Sequence, residues 1–105
     1  MPKFLLTVTY DLTIPAPEFL DRAPEAAELI ADVPGLVWKI WSLDRDSGQG
    51  ASTYMFRDRA SAETFAEGPM IDGLRQGPTN DVRLRLAPVE HDLSLRTHAS
   101  LALAD

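Results

Sequence analysis

The chain has 105 residues, 45% of them apolar and 25% charged, proportions of one small globular domain rather than a disordered chain or a two-module enzyme. Its formal charge of −6 argues against a phosphate-tracking nucleic-acid surface and against an anionic membrane surface. The absence of cysteine removes disulfides, thiolate nucleophiles, zinc–cysteine sites and iron–sulfur clusters, and fits a reducing compartment. The N-terminal residues lack the apolar run and cleavage site of a signal peptide, and no stretch approaches the ~18–20 apolar residues of a membrane span. The expectation is a cytoplasmic protein without nucleic-acid or membrane partners.

Residues 3–12 alternate Phe4, Leu6, Val8 and Tyr10 against Lys3, Leu5, Thr7 and Thr9, a strand with one greasy and one mixed face. Residues 18–32 are rich in Ala, Glu and Leu. Leu20, Ala23, Ala27 and Ile30 recur at helical spacing, and Phe19, Ala26 and Leu29 widen the stripe. Pro24 either kinks this helix or begins a shorter one. Val33-Pro34-Gly35 ends the segment. Residues 36–44 form the strongest predicted strand, with Trp38 and Ile40 on one side and Lys39 and Trp41 on the other. A polar turn at 44–50 leads into a strand over 51–57, giving a hairpin with a longer loop. Asp58 is a predicted N-cap for a helix over 60–67 anchored by Phe65. A short helical piece over 70–75 follows, then a strand over 80–87 with Val82, Leu84 and Leu86 against Arg83 and Arg85. In the tail, Leu93, Leu95, Thr97, Ala99, Leu101 and Leu103 alternate with polar residues, which predicts an extended arm. The expected division is a domain over 1–90 and a C-terminal arm over 91–105.

The order β-α-β-β-α-β is that of an α+β, ferredoxin-like fold, an antiparallel sheet with helices on one face. A strand with an indole on each side implies that both sides are covered. A second copy laid sheet against sheet would provide the cover, giving a homodimeric α/β barrel with a cavity between the sheets.

The segment Pro34-Gly35-Leu36-Val37-Trp38-Lys39-Ile40-Trp41 resembles the YdhR family of monooxygenases, and so, in spacing, does Ala51-Ser52-Thr53-Tyr54-Met55-Phe56-Arg57-Asp58 with Ser61, Ala62 and Phe65. The likeness runs over residues 3–90 in the order of elements. It implies a dimeric α/β barrel of the antibiotic-biosynthesis-monooxygenase type, a group that includes cofactor-independent oxygenases of phenols and quinols, haem-degrading enzymes and isomerases. Fold alone does not choose among them.

The mixed strand faces suggest a cavity lined by cations, hydroxyls and an indole: Lys39, Arg83 and Arg85, Thr7 and Thr9, and Trp41. A planar anion suits such a lining, since a nearby cation lowers a phenol's pKa and the indole offers stacking area. The expected activity is a monooxygenase without metal, flavin or other cofactor, acting on an aromatic or polyketide-like small molecule. Lys39 and Arg83 would hold the anionic oxygen, Trp41 would stack on the ring, and Tyr54 or His91 would accept the proton. Thr7, Thr9, Met55 and Arg85 complete the expected substrate contacts. Each residue also has a plain structural reading. Trp38 and Trp41 serve as core or interface filler, Tyr54 as packing, Arg83 and Arg85 as a solvated strand face, and His91 as an exposed tail residue. His91 and His98 are too far apart along the chain to share one metal ion locally. A polyketide cyclase or isomerase and a non-catalytic metabolite-binding dimer remain the alternatives.

Overall fold

A computed structural model describes residues 2–101. The elements are β1 (Phe4–Leu12), α1 (Ala16–Ala31), β2 (Leu36–Leu43), β3 (Gln49–Phe56), α2 (Arg59–Ala66), α3 (Pro69–Gln76), β4 (Thr79–Pro88) and α4 (His91–Arg96). The four strands form one antiparallel sheet in the order β2-β3-β1-β4. With the helices, this is the expected ferredoxin-like α+β arrangement.

The greasy face of β1 carries the core. Phe4, Leu6, Val8 and Tyr10 are buried, together with Tyr54 and Phe56 of β3, beneath Phe19 and Ile30 of α1, Ala62 and Phe65 of α2 and Ile71 of α3. Aromatic rings tie the sheet to α2: the Phe65 centroid lies 4.9 Å from that of Tyr54 and 5.6 Å from that of Phe56. Pairs of this kind contribute about 0.5–1.5 kcal/mol beyond the area they bury.

Local chemistry sets the element ends. Pro17, not Pro24, occupies the first turn of α1, where its missing N–H is harmless; Pro24 lies inside the helix on its exposed side. The sequence left a kinked helix and a shorter one open, and the helix runs through. Leu29 is 60% exposed, so the apolar stripe of α1 is narrower than its spacing suggests. Asp58 caps α2 as expected, its Oδ1 accepting from the Ser61 N–H at 2.8 Å. In the β2–β3 hairpin, Asp44 Oδ1 accepts from the N–H groups of Asp46 and Ser47, and Gly48 takes φ 78°.

Two expectations need correction. The tail is not extended throughout: α4 is helical over His91–Arg96. The alternating leucines promised a strand, but Leu93 and Leu95 are 64% and 48% exposed. With no burial to enforce a period of two, the acid in the first turn and the base in the last favour a helix turn. Residues 102–105, including Leu103 of that pattern, lie outside the described residues. The second correction concerns β2, which is an edge strand with no buried residue. Its Trp38 side is met first by its own chain: the Trp38 Nε1–H donates to the Ser100 carbonyl at 3.0 Å, and Leu101 is buried.

Candidate active site

Register decides which side chains meet. Lys39 pairs with Tyr54 and Trp41 with Ser52 across β2 and β3, so these four project to the helical side of the sheet. Tyr10 of β1 pairs with Gly50 of β3. A Cβ at Gly50 would overlap the Tyr10 ring, so the missing side chain is what lets that ring lie across the strand. Tyr10, Lys39, Trp41, Ser52 and Tyr54, together with Ala23 and Ala26 of α1 and Met70, Gly73 and Leu74 of α3, line an open-mouthed cavity of about 280 Å³ between sheet and helices. This corrects the expected location. The cavity lies on the helical side of the sheet, lined by residues of one chain.

The polar groups in it are few. The Lys39 Nζ stands 3.3 Å from the centroid of the Trp41 ring and 4.7 Å from that of Tyr54. No Asp or Glu borders the cavity, so the amine has aromatic faces beside it and no carboxylate. Burial lowers its pKa from 10.5 to about 7. The Trp41 face attracts an ammonium by about 0.5–2 kcal/mol and opposes that shift. Near neutral pH the amine therefore exists in both forms. Burial raises Tyr54 to about 12 and raises Tyr10 as well, while hydrogen bonding to Ser52 acts on both in the opposite direction. Both phenols therefore keep their protons at neutral pH and can donate hydrogen bonds. Arg22 stands at the rim, where its guanidinium pairs with Glu18 at 2.7 Å and is largely exposed. Trp41 is 38% exposed and forms part of the mouth.

The remaining sequence candidates lie elsewhere. Thr7 pairs with Thr53 and Arg85, and Thr9 with Ala51 and Arg83, on the face away from the helices. Met55 is fully buried on that same face, beside Trp38. Arg83 is exposed and pairs with Asp81 at 3.2 Å. His91 begins α4 and borders a separate hollow with Lys3, Val89 and Leu101. Of the expected catalytic set, the fold therefore brings together Lys39 and Tyr54 with Trp41, and leaves Arg83 and His91 out. Tyr10, Ser52 and Gly50 were not singled out from the sequence. The signals that point to them are small residues at helix-facing positions: Ser52 with Ala23, Ala26 and Gly73 leaves the cavity open, and Gly50 leaves room for the Tyr10 ring. Among the described residues no three His, Cys, Asp or Glu side chains gather as a metal site.

The family described as "Putative mono-oxygenase ydhR" matches residues 5–100. The chain belongs to the ydhR family. No protein of curated function matches it. Solved structures similar to this ydhR-family chain include SnoaB, a cofactor-independent oxygenase from Streptomyces nogalater, with a TM-score of 0.69 and 15% identity over 89% of this chain and 98% of that one. A protein described as a putative antibiotic biosynthesis monooxygenase from Deinococcus radiodurans aligns at 0.65 and 15%, over 82% and 91%. PA3566 from Pseudomonas aeruginosa aligns at 0.64 and 18%, over 85% and 95%. At such identities these likenesses establish the fold of the ydhR-family chain, and activity is argued from its own site. No helix among the described residues is long and apolar enough to cross a membrane.

Proposed function

We propose that this ydhR-family chain is a cofactor-independent monooxygenase for a small phenolic, polyketide-like aromatic, acting in the cytoplasm as a homodimer. The observation that carries the reading is the Lys39 amine, 3.3 Å from the Trp41 ring centroid, in an apolar cavity without a carboxylate. A substrate ring enters past Trp41 and lies against it. The neutral fraction of Lys39 takes the phenolic proton. The ammonium so formed holds the phenolate, and the Tyr54 and Tyr10 hydroxyls donate to charge that develops on oxygen. The phenolate passes an electron to O2, and superoxide and ring radical combine at carbon. The hydroperoxide then collapses to a carbonyl. One oxygen atom stays on the substrate and the other leaves as water, so the substrate supplies every electron. The family description and the oxygenase named among the structural neighbours support this reading. A cavity of about 280 Å³ is at the small end of ligand sites, which favours substrates of one to three rings.

The helix-free face of the sheet supports pairing of two copies. It carries Ile40 at 57% exposure among Thr7, Thr53 and Arg85. Thr7, Thr9, Arg83 and Arg85 serve that contact rather than the substrate.

An oxygen electrode with a panel of one- to three-ring phenols tests the reaction. One O2 consumed per carbonyl formed is expected, rising with pH through about 7 as the amine of Lys39 is freed. Lys39→Met should lower turnover by about 10²–10⁴-fold, the usual weight of a positioned base. Product formed without oxygen uptake would assign the cavity to cyclisation or isomerisation instead. Unchanged turnover in Lys39→Met removes the mechanism.

A further inference from the structure

Lys39 combines three properties that also equip an amine to attack carbonyl carbon. It lines a cavity large enough for a ring-bearing molecule, with its Nζ over two rings, Trp41 and Tyr54, that line the same cavity. It faces the aromatic rings of Trp41 and Tyr54 with no carboxylate among the lining residues, so no ion pair holds it as an ammonium. Buried phenol hydroxyls from Tyr54 and Tyr10 lie in the same walls and keep their protons at neutral pH. A desolvated, unpaired amine beside O–H donors is the arrangement that turns a lysine into a nucleophile toward carbonyl carbon.

We propose that Lys39 captures carbonyl compounds: its Nζ condenses with the aldehyde or ketone of an apolar, ring-bearing ligand held in this cavity to form an imine. The nitrogen lone pair bonds to the carbonyl carbon, the carbonyl π pair moves to oxygen, and that oxygen takes the proton which the now cationic nitrogen gives up. The carbinolamine then loses that oxygen as water, with the Tyr54 hydroxyl placed to supply the second proton and recover it from the iminium. Nothing is oxidised or reduced. Burial, which draws the amine to about 7, keeps a nucleophilic fraction at neutral pH that an ordinary lysine lacks. An imine there would withdraw electrons from the adjacent carbon, the activation needed to enolise a carbonyl-bearing polyketide-like substrate. The inference rests on the same cavity as the oxygenase reading but uses the amine as a nucleophile and needs no oxygen.

The sequence provides an internal control, because Lys3 and Lys39 are its two lysines. The full chain is treated under argon at about pH 7.5 with 2-naphthaldehyde and sodium cyanoborohydride, which reduces an imine to a stable secondary amine, and the adducts are mapped by peptide mass. Lys39 should carry at least about tenfold more label than Lys3, and excess 2-naphthol should protect Lys39 while leaving Lys3 unchanged. Ala26→Phe, which fills the cavity from α1, should lower Lys39 labelling to the level of Lys3. Labelling of Lys39 no greater than Lys3, or indifferent to 2-naphthol, overturns the inference. Oxygen uptake with phenols in a chain whose Lys39 resists labelling leaves the oxygenase reading standing alone. Labelling without any oxygen uptake removes that reading and keeps this one.

Discussion

Lys39 sets the chemistry of the cavity and also weighs on the stability of the fold. Its pKa is lowered from 10.5 to about 7 by burial, so between those values the unfolded chain binds a proton that the native chain does not. Stability therefore rises with pH across that window, and below pH 7 the burden of a charged, partly desolvated amine is felt in full. Lys39→Met keeps the stem and removes the charge. It should stabilise the chain by about 1–3 kcal/mol at pH 6, as replacement of a buried charge by an apolar isostere commonly does, and the gain should fade toward pH 10. Urea unfolding of both proteins at the two pH values measures this. A difference that does not change with pH would mean that the amine is not desolvated in the native state. Stability gained where activity is lost is the usual mark of a functional site.

At the scale of elements, two glycines permit close approaches, and only the second of them underlies the site. Gly35 opens β2 at φ 82°, and a Cβ there would run into the Ser61 side chain of α2. Gly50 sits under the Tyr10 ring. Gly50→Ala should displace that ring, cost about 1–3 kcal/mol as overpacking does, and reduce ligand affinity in the cavity. Gly35→Ala combines a left-handed backbone with a clash and should cost at least as much while leaving the cavity walls intact. Thermal melts with ligand titration separate the two: loss of affinity in Gly50→Ala with retained affinity in Gly35→Ala is the expected pattern, and equal affinities would deny Tyr10 its place in the wall. The strand pattern was readable from residues 3–12 because burial on one face enforces a period of two there, whereas residues 36–44, with no buried position, were readable from their β-branched and aromatic composition. The side of the sheet holding the site was not readable. Alternation groups Lys39 with Trp41 and Arg83 with Arg85, but it does not say which group points at the helices. That depends on the pairing of β2 with β3, and the inter-strand register puts Lys39 beside Tyr54 while turning the arginines the other way.

The whole molecule raises the question of what covers the other side of the sheet. The presence of an indole on each side of β2 suggested a second subunit, and the chain itself answers part of that demand. Ser100 accepts the Trp38 N–H, and Met55 is already fully enclosed in the single chain. This could not be anticipated from a tail whose leucines suggest extended structure. The row from Arg85 through Thr7 and Thr53 to Ile40 remains, and Ile40 is 57% exposed. Full burial of an isoleucine stabilises by about 1.5–3 kcal/mol, and a two-fold contact counts it twice. Ile40 alone falls short of the roughly 8 kcal/mol of micromolar pairing, so the rest of the row must contribute, and on the pairing proposal the full chain should sediment at twice its own mass at micromolar concentration. Ile40→Asp, which would bury a carboxylate on each side of that contact, should run as a single chain. Because the cavity lies between sheet and helices of one chain, the Ile40→Asp monomer should still bind a two-ring phenol in the cavity. Sedimentation velocity with ligand titration on the same sample checks both halves. A wild-type chain that sediments alone ends the pairing proposal without touching the cavity, whereas a monomeric variant that has lost the ligand would show that the second copy shapes the site after all.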